Sequence, residues 1–488
     1  MKSVLIRRIL TLNPQPSTVN HQPTTEWCHR RLLARIHRLT LDGLRKQIEP
    51  VTVDVFIRFL ARHHGLLPGT QRGGTNGLFE VIAQLQGLDI PAVAWERDLL
   101  PARLDGYEPA WLDELCLTGE VGWGRMFPPV RNPDRAKPMA SLTRVAPVSI
   151  FLRQDTEWLT DRAPQPDAEG LSSPAMEVVE LLTARGAMFA SDILAATRML
   201  PSHLDDVLGE LVTRGWLTAD GFAGLRTLIA EKKPHGRAAA RHRAERTRTT
   251  RMALGRWSLR SVEAAKGRQG HKGPKLEEGA MASQGVYANG ISLDGTNTFS
   301  PLRPFCPSTS TTPAALQTTP DLRDHAKRIA EDWAWQLLRR WGVVFRDLLT
   351  REFGTPSWFE LLQVLRRLEA RGEIRGGRFI TGVAGEQFAL PDTIRQLRQL
   401  RDEVPPQEVL VISAADPLNL IGIVTKHDRI PSTASNRVAY LDGHPVASLQ
   451  AEEVRWLAAP PGHLKATIEQ SLLGRASRAE HFEPVASG

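Results

Sequence analysis

The chain has 488 residues, 41% of them hydrophobic and 24% charged, enough apolar material for about three domains and too much for a disordered or fibrous chain. Its net charge of +8 is concentrated. Fourteen Lys or Arg lie between Lys232 and Lys275 against two acids, Glu245 and Glu263, while the rest holds 48 basic and 52 acidic residues, so one segment points to a polyanionic partner.

Arg7 and Arg8 interrupt an amino-terminal apolar stretch too short for a signal peptide, and no run of about 18 apolar residues could cross a bilayer. Cys28, Cys116 and Cys306 have no zinc or disulfide spacing. His63 and His64 lack companion ligands. These features predict a cytoplasmic, nucleoid-associated protein with no membrane contact, no metal and no cofactor.

Residues 1–25 read as an unstructured tail. A helix is predicted over 27–48, carrying Leu32, Ile36 and Leu39 inward and Arg31, Arg35, Arg38 and Arg45 outward. Helical runs at 53–61 and 78–85 and the extended Ala92-Val93-Ala94-Trp95 complete a first winged-helix module over 26–104. Its third helix closes on Gln84-Leu85-Gln86-Gly87. Two amides at i and i+2 beside a glycine can read a base edge, or they can satisfy backbone groups at the helix end. Residues 105–170 read as a β-rich connection through Val121-Gly122-Trp123 and Val148-Ser149-Ile150-Phe151.

A pattern then appears twice. Measured back from Gly215, apolar residues fall at Leu211, Leu208, Val207 and Leu204; measured back from Gly372, they fall at Leu368, Leu365, Val364 and Leu361. The offsets are identical and helical. Each helix follows a further helical run and a Pro-Ser pair, Pro201-Ser202 or Pro356-Ser357, with serine as the expected N-cap, and each precedes a short β-like stretch. Helix, turn, helix, helix, wing is a winged helix-turn-helix, so modules are predicted over 171–231 and 321–395. Between them, 232–320 is basic and then rich in Ser, Thr, Pro and Gly, and reads as a disordered linker in which only Leu254-Gly255-Arg256-Trp257-Ser258-Leu259 could dock. Residues 396–460 carry strands around turns such as Asp442-Gly443 and are predicted to close a small β-barrel, with 461–488 a helical or disordered tail. The fold class is α+β: tandem winged helices, a β-barrel and a basic linker.

Arg30-Arg31-Leu32-Leu33-Ala34-Arg35, Gln84-Leu85-Gln86-Gly87, Leu100-Pro101-Ala102-Arg103, Leu112-Asp113-Glu114-Leu115, Gly255-Arg256-Trp257-Ser258, Gln387-Phe388-Ala389-Leu390-Pro391 and Ala415-Asp416-Pro417-Leu418-Asn419 together resemble the carboxy-terminal region of the large helicase-related (Lhr) proteins. The likeness spans about 26–460 apart from the linker. Full-length members are nucleic-acid-dependent ATPases and helicases, yet this sequence shows neither Gly-x-x-x-x-Gly-Lys-[Ser/Thr] nor an Asp-Glu-x-His box. It reads as a stand-alone or truncated tail, or as the remnant of a split gene. The tail is also similar to AlkZ-type winged-helix DNA glycosylases, whose Gln-x-Gln pair matches Gln84 and Gln86; Arg103 and Asp416-Pro417-Leu418 also have counterparts there.

The resemblance implies a nucleic-acid-binding region of a DNA repair helicase, with DNA glycosylase activity or without it. In the first case Gln84, Gln86 and Asp416 are the catalytic candidates, and the base must leave the stack. In the second the chain is a binding and oligomerisation module, self-associated or serving a separate helicase subunit. Aspartate before proline equally caps a turn, and Arg103 could contact phosphate or pair with Asp98 or Asp105. Arg31, Arg35 and Arg38 could grip phosphates or form a solvated face. Arg241, Arg243, Arg246, Arg248 and Arg251 could neutralise several phosphates of single-stranded or damaged duplex DNA, or of RNA.

Overall fold

Apolar residues spaced three and four apart bury one face of the longer helices in the second and third modules, and short strands close each helical group. In the second module Ser173–Arg185, Ala190–Thr197 and Pro201–Thr213 are helices, and Met188–Phe189, Leu217–Ala219 and Arg256–Leu259 form the wing. In the third, Pro320–Trp341, the 3-10 turn Arg346–Arg351 and Trp358–Arg371 are joined by a wing of Val343–Val344, Arg375–Gly377 and Gln387–Ala389. Both wings are antiparallel with the last strand in the middle. The structure, a computed structural model, describes residues 3–6, 26–46, 48–128, 146–229, 255–260 and 320–474.

The two predicted serine caps differ. Ser357 caps Trp358–Arg371 in a reciprocal capping box with Glu360. Burial pushes the Glu360 carboxyl up, but hydrogen bonds from Arg162 and Ser357 outweigh it and bring the group down to about 2. Ser202 lies inside Pro201–Thr213, whose N-cap is Leu200: Pro201 takes the first helical position, where its missing N–H costs nothing.

Of the predicted linker, Gly255–Arg260 docks. Trp257 is buried edge-on against Trp123, ring centres 6.1 Å apart, and the strand pairs with 217–219 on one side and 188–189 on the other. Thus the second module takes its central wing strand from sequence that composition alone assigns to a linker.

The first module is spliced between two cores. Its helix Val53–His63 packs on Pro391–Asp402 and shares a core with the third module and with Leu410, Ile412, Val438 and Tyr440. Its helix Gly74–Leu85 packs on Pro109–Leu117 and the strand Pro147–Leu152, in a core shared with the second module. Strands Ile90–Pro91, Pro147–Leu152 and Val121–Gly124 pair in that order.

Arg30–Lys46 is helical, but Leu32, Ile36 and Leu39 are 53%, 50% and 60% exposed, contrary to the inward face expected of them. The helix sits against the wing strand Arg375–Gly377 of the third module, where Arg45 donates to both oxygens of Glu369, so its attachment is polar and lies away from the 53–85 helices. Ser3–Ile6 pairs antiparallel with Glu26–His29, placing a strand in the expected unstructured tail.

No closed barrel forms among the described residues. Val409–Ser413, Arg437–Leu441, His444–Gln450 and Glu453–Trp456 make an open four-stranded antiparallel meander. Alternation explains why it stays open: Leu410, Ile412, Val438 and Tyr440 face the central core, while Val409, Val411, Ala439 and Ala447 face the helix Gly462–Leu473. Both faces are covered, so closure would bury nothing further. At the Asp442-Gly443 turn both residues have positive φ, and a side chain on Gly443 would collide with the Asp54 carbonyl, so this hairpin requires glycine.

Candidate functional site at the module junction

Leu78, Val81, Ile82 and Leu85 bury Gly74–Leu85 deep between the modules, so the third helix of the first module presents little surface to a ligand. At its end Gln86 turns into extended backbone and Gly87 takes φ +86°; a Cβ on Gly87 would lie 2.9 Å from Leu159 and 3.3 Å from Trp333. Only glycine combines this turn with this approach. The carbonyls freed at the helix end are met by the third module. Gln336 Nε2 donates to the Ala83 and Gln84 carbonyls, both at 3.1 Å; Arg340 donates to the Gln84 carbonyl at 3.1 Å and also to that of Gln86. A cation at a helix carboxy-terminus is favourably placed in the helix dipole field. Arg340 is itself fully buried and paired with Glu352, which also accepts from Trp341 Nε1 at 2.7 Å.

The glutamine pair is divided between two sets of partners. Gln84 accepts from Arg72 and donates to the His63 carbonyl, each at 3.3 Å. Gln86 accepts from Leu152 N–H at 3.1 Å and donates to Asp155 at 2.7 Å and Gln336 at 3.2 Å. Both side chains are buried and knit the junction together.

Arg103 and Asp416, 313 positions apart, form a buried bidentate pair at 2.7 and 2.9 Å. Asp98 is taken by Arg97 and Asp105 is exposed, so the sequence alternatives for Arg103 give way to this partner. Asp416 also accepts from Leu418 N–H at 3.0 Å, the turn contact expected of aspartate before proline, and its carbonyl accepts from Arg351 at 2.9 Å. Beside them His64 is fully buried. Its Nε2 donates to the Arg340 carbonyl at 2.8 Å, which leaves Nδ1 bare and without a partner. Burial, with the Arg103 charge next in weight, holds this imidazole well below its ordinary range, so it is neutral. Burial pushes the Cys116 thiol up to about 12, far from nucleophilic use.

Arg31, Arg35 and Arg38 are exposed along Arg30–Lys46. Arg241, Arg243, Arg246, Arg248 and Arg251 lie outside the described residues, on the approach to the docked strand. The structure therefore buries Gln84 and Gln86 in one polar cluster and Arg103 with Asp416 in another, and leaves the arginine stripe elsewhere. Gln336, Arg340 and Glu352 escape a reading by motif. Their signal is the two polar residues, four apart, on a helix face that also carries Trp333, Leu337 and Trp341.

Residues 51–136 and 323–409 each match a winged-helix domain of the large helicase-related protein. The first match starts after Arg30–Lys46, in keeping with that helix docking on the third module. The chain is an Lhr-related region. A Mycolicibacterium smegmatis protein named as an Lhr helicase and probable uracil glycosylase is 29% identical over 81% of the chain and 23% of its own length. An Escherichia coli protein named as an Lhr helicase and uracil glycosylase is 27% identical over 83% of the chain and 24% of its own length. The Lhr-related chain thus spans about a quarter of these relatives. No helix among its described residues is long and apolar enough to cross a membrane.

Proposed function

We propose that the chain binds nucleic acid, single-stranded or damaged duplex DNA foremost, as the carboxy-terminal-type region of an Lhr repair helicase. The observation that carries this is the seat of Arg256–Leu259, locked into the second module's wing in the middle of a segment with 14 basic residues and two acids. A mobile polycation binds phosphates anywhere; one stapled to a winged helix concentrates its charge on a folded surface. Binding is therefore expected to be strongly salt-dependent. Replacing Arg241, Arg243, Arg246, Arg248 and Arg251 with glutamine should flatten the slope of log K against log salt on duplex DNA by about 4 to 5, at about 0.9 for each phosphate no longer neutralised. An unchanged slope in fluorescence anisotropy would remove the arm from the interface.

Excision of uracil or another base is the second reading, favoured by the names of the two relatives. It uses Gln84, Gln86 and Asp416. Because Asp416 is sealed against Arg103, the junction must open before the carboxylate could orient water at a sugar. Uracil-containing duplexes treated with the chain and then alkali should break; intact strands at concentrations that saturate binding would leave a non-catalytic binding region.

A further inference from the structure

Arginines deep in a protein normally have every N–H engaged, because an uncompensated buried cation costs several kcal/mol. Among the described residues Arg103, Arg125, Arg214 and Arg351 each leave Nε without a partner, and Arg260 departs furthest, with two bare nitrogens. Arg260, at the exit of the docked strand, donates its backbone N–H to the Trp216 carbonyl at 2.8 Å and Nε to the Gly215 carbonyl at 2.9 Å, yet both Nη1 and Nη2 are sealed from solvent without a partner among the described residues. Arg125 donates Nη1 to the Thr213 carbonyl at 2.8 Å and leaves Nε unpartnered. Gly215 joins the two. A Cβ there would lie 2.9 Å from the Arg125 carbonyl oxygen, 3.4 Å from Pro128 Cγ and 3.5 Å from Arg260 Nη2.

The nearby carboxylate is Asp89, already engaged by Ser149 Oγ at 2.6 Å and by the N–H groups of Phe127 at 3.0 Å and Met126 at 3.4 Å. Burial pushes that carboxyl up and the Arg125 and Arg260 guanidiniums down, the latter to about 10. The Arg260 guanidinium thus presents two orphaned nitrogens side by side, a fork suited to an oxyanion.

We propose that the Arg260 guanidinium forms a binding site for a phosphate-type oxyanion on the face of Gly215, entered by displacement of the half-buried Pro128. Resting on the nucleic-acid reading above, the site would clamp one backbone phosphate where the basic segment meets the winged helix, fixing register rather than reading sequence.

The test follows thermal unfolding of the full chain in millimolar phosphate against chloride at equal ionic strength, for the wild type and Arg260→Met. Phosphate also stabilises proteins generally by exclusion, so the difference between the two proteins is the readout. The wild type should gain several degrees more than the variant, saturably. Equal gains would overturn the site. Should Arg260→Met fail to fold, Arg260→Gln gives the same comparison. A second arm separates the sources: loss of about one unit of salt slope on duplex DNA in the variant identifies a nucleic-acid phosphate, and an unchanged slope with the phosphate effect lost identifies free phosphate. A wild type that gains from phosphate but binds no DNA would retain the site and refute the functional reading.

Discussion

Asp416 and Arg103 neutralise each other in a place where neither could stand alone, and this governs substitution there. Asp416→Ala strands a guanidinium away from water and is expected to cost about 3–5 kcal/mol in urea unfolding, whereas Arg103→Met with Asp416→Leu should recover most of that. A double variant as unstable as the single one would show that the pair is not the source. His64 sets a pH response. The unfolded imidazole takes up a proton below about 6.5, while the native one, with Nδ1 buried and no acceptor beside it, does not. Stability is therefore full above that pH and falls as pH drops below it, by about 1.4 kcal/mol per unit for one such group. Chemical unfolding at pH 7.5 and 5.5 should show the loss, and His64→Gln should diminish it; an unaltered pH response would assign the effect to other groups.

At the scale of elements, the strand Arg256–Leu259 depends on Trp257, which anchors it against Trp123. Trp257→Ala is expected to cost about 3–5 kcal/mol and to open the flanks of the strand to limited proteolysis. A digestion pattern unchanged from the wild type would mean that the backbone ladder alone holds it. Much at this scale is legible in the sequence. The equal offsets from Gly215 and Gly372 mark two equivalent helices because a 3.6-residue period must bury one face, and Ser357 stands where the sequence expects an N-cap. The failures share a cause. Leu32, Ile36 and Leu39 have the right period, but periodicity does not say which neighbour covers a face, and here the polar Arg45–Glu369 contact decides the docking. Likewise, alternation in 409–456 predicts strands without saying whether they close, because a helix as far along as 462–473 can cover the second face. The site was legible only by its residues: Gln84, Gln86, Arg103 and Asp416 stand out, but their partners lie as many as 313 positions away and no local pattern contains them.

Over the whole molecule, the first module joins two cores, giving one helix to each, and the Gln86–Gln336–Arg340 contacts cross the seam. Polar junctions of this kind are exacting because every group must be met at once, so they fix one arrangement of the modules more firmly than apolar packing would. The seat of 256–259 has a further consequence, for chain length. A strand clamped on both sides divides the sequence between the second and third modules into two spans. Closing a loop grows costlier only with the logarithm of its length, about 0.6 kcal/mol per doubling, well below what Trp257 contributes by burial. Residues can therefore be gained or lost on either side of the strand at little thermodynamic cost, whereas a shift by one position within it would turn Trp257 out of its pocket. Related chains should vary freely in the length of these two spans while keeping the six residues between them in register.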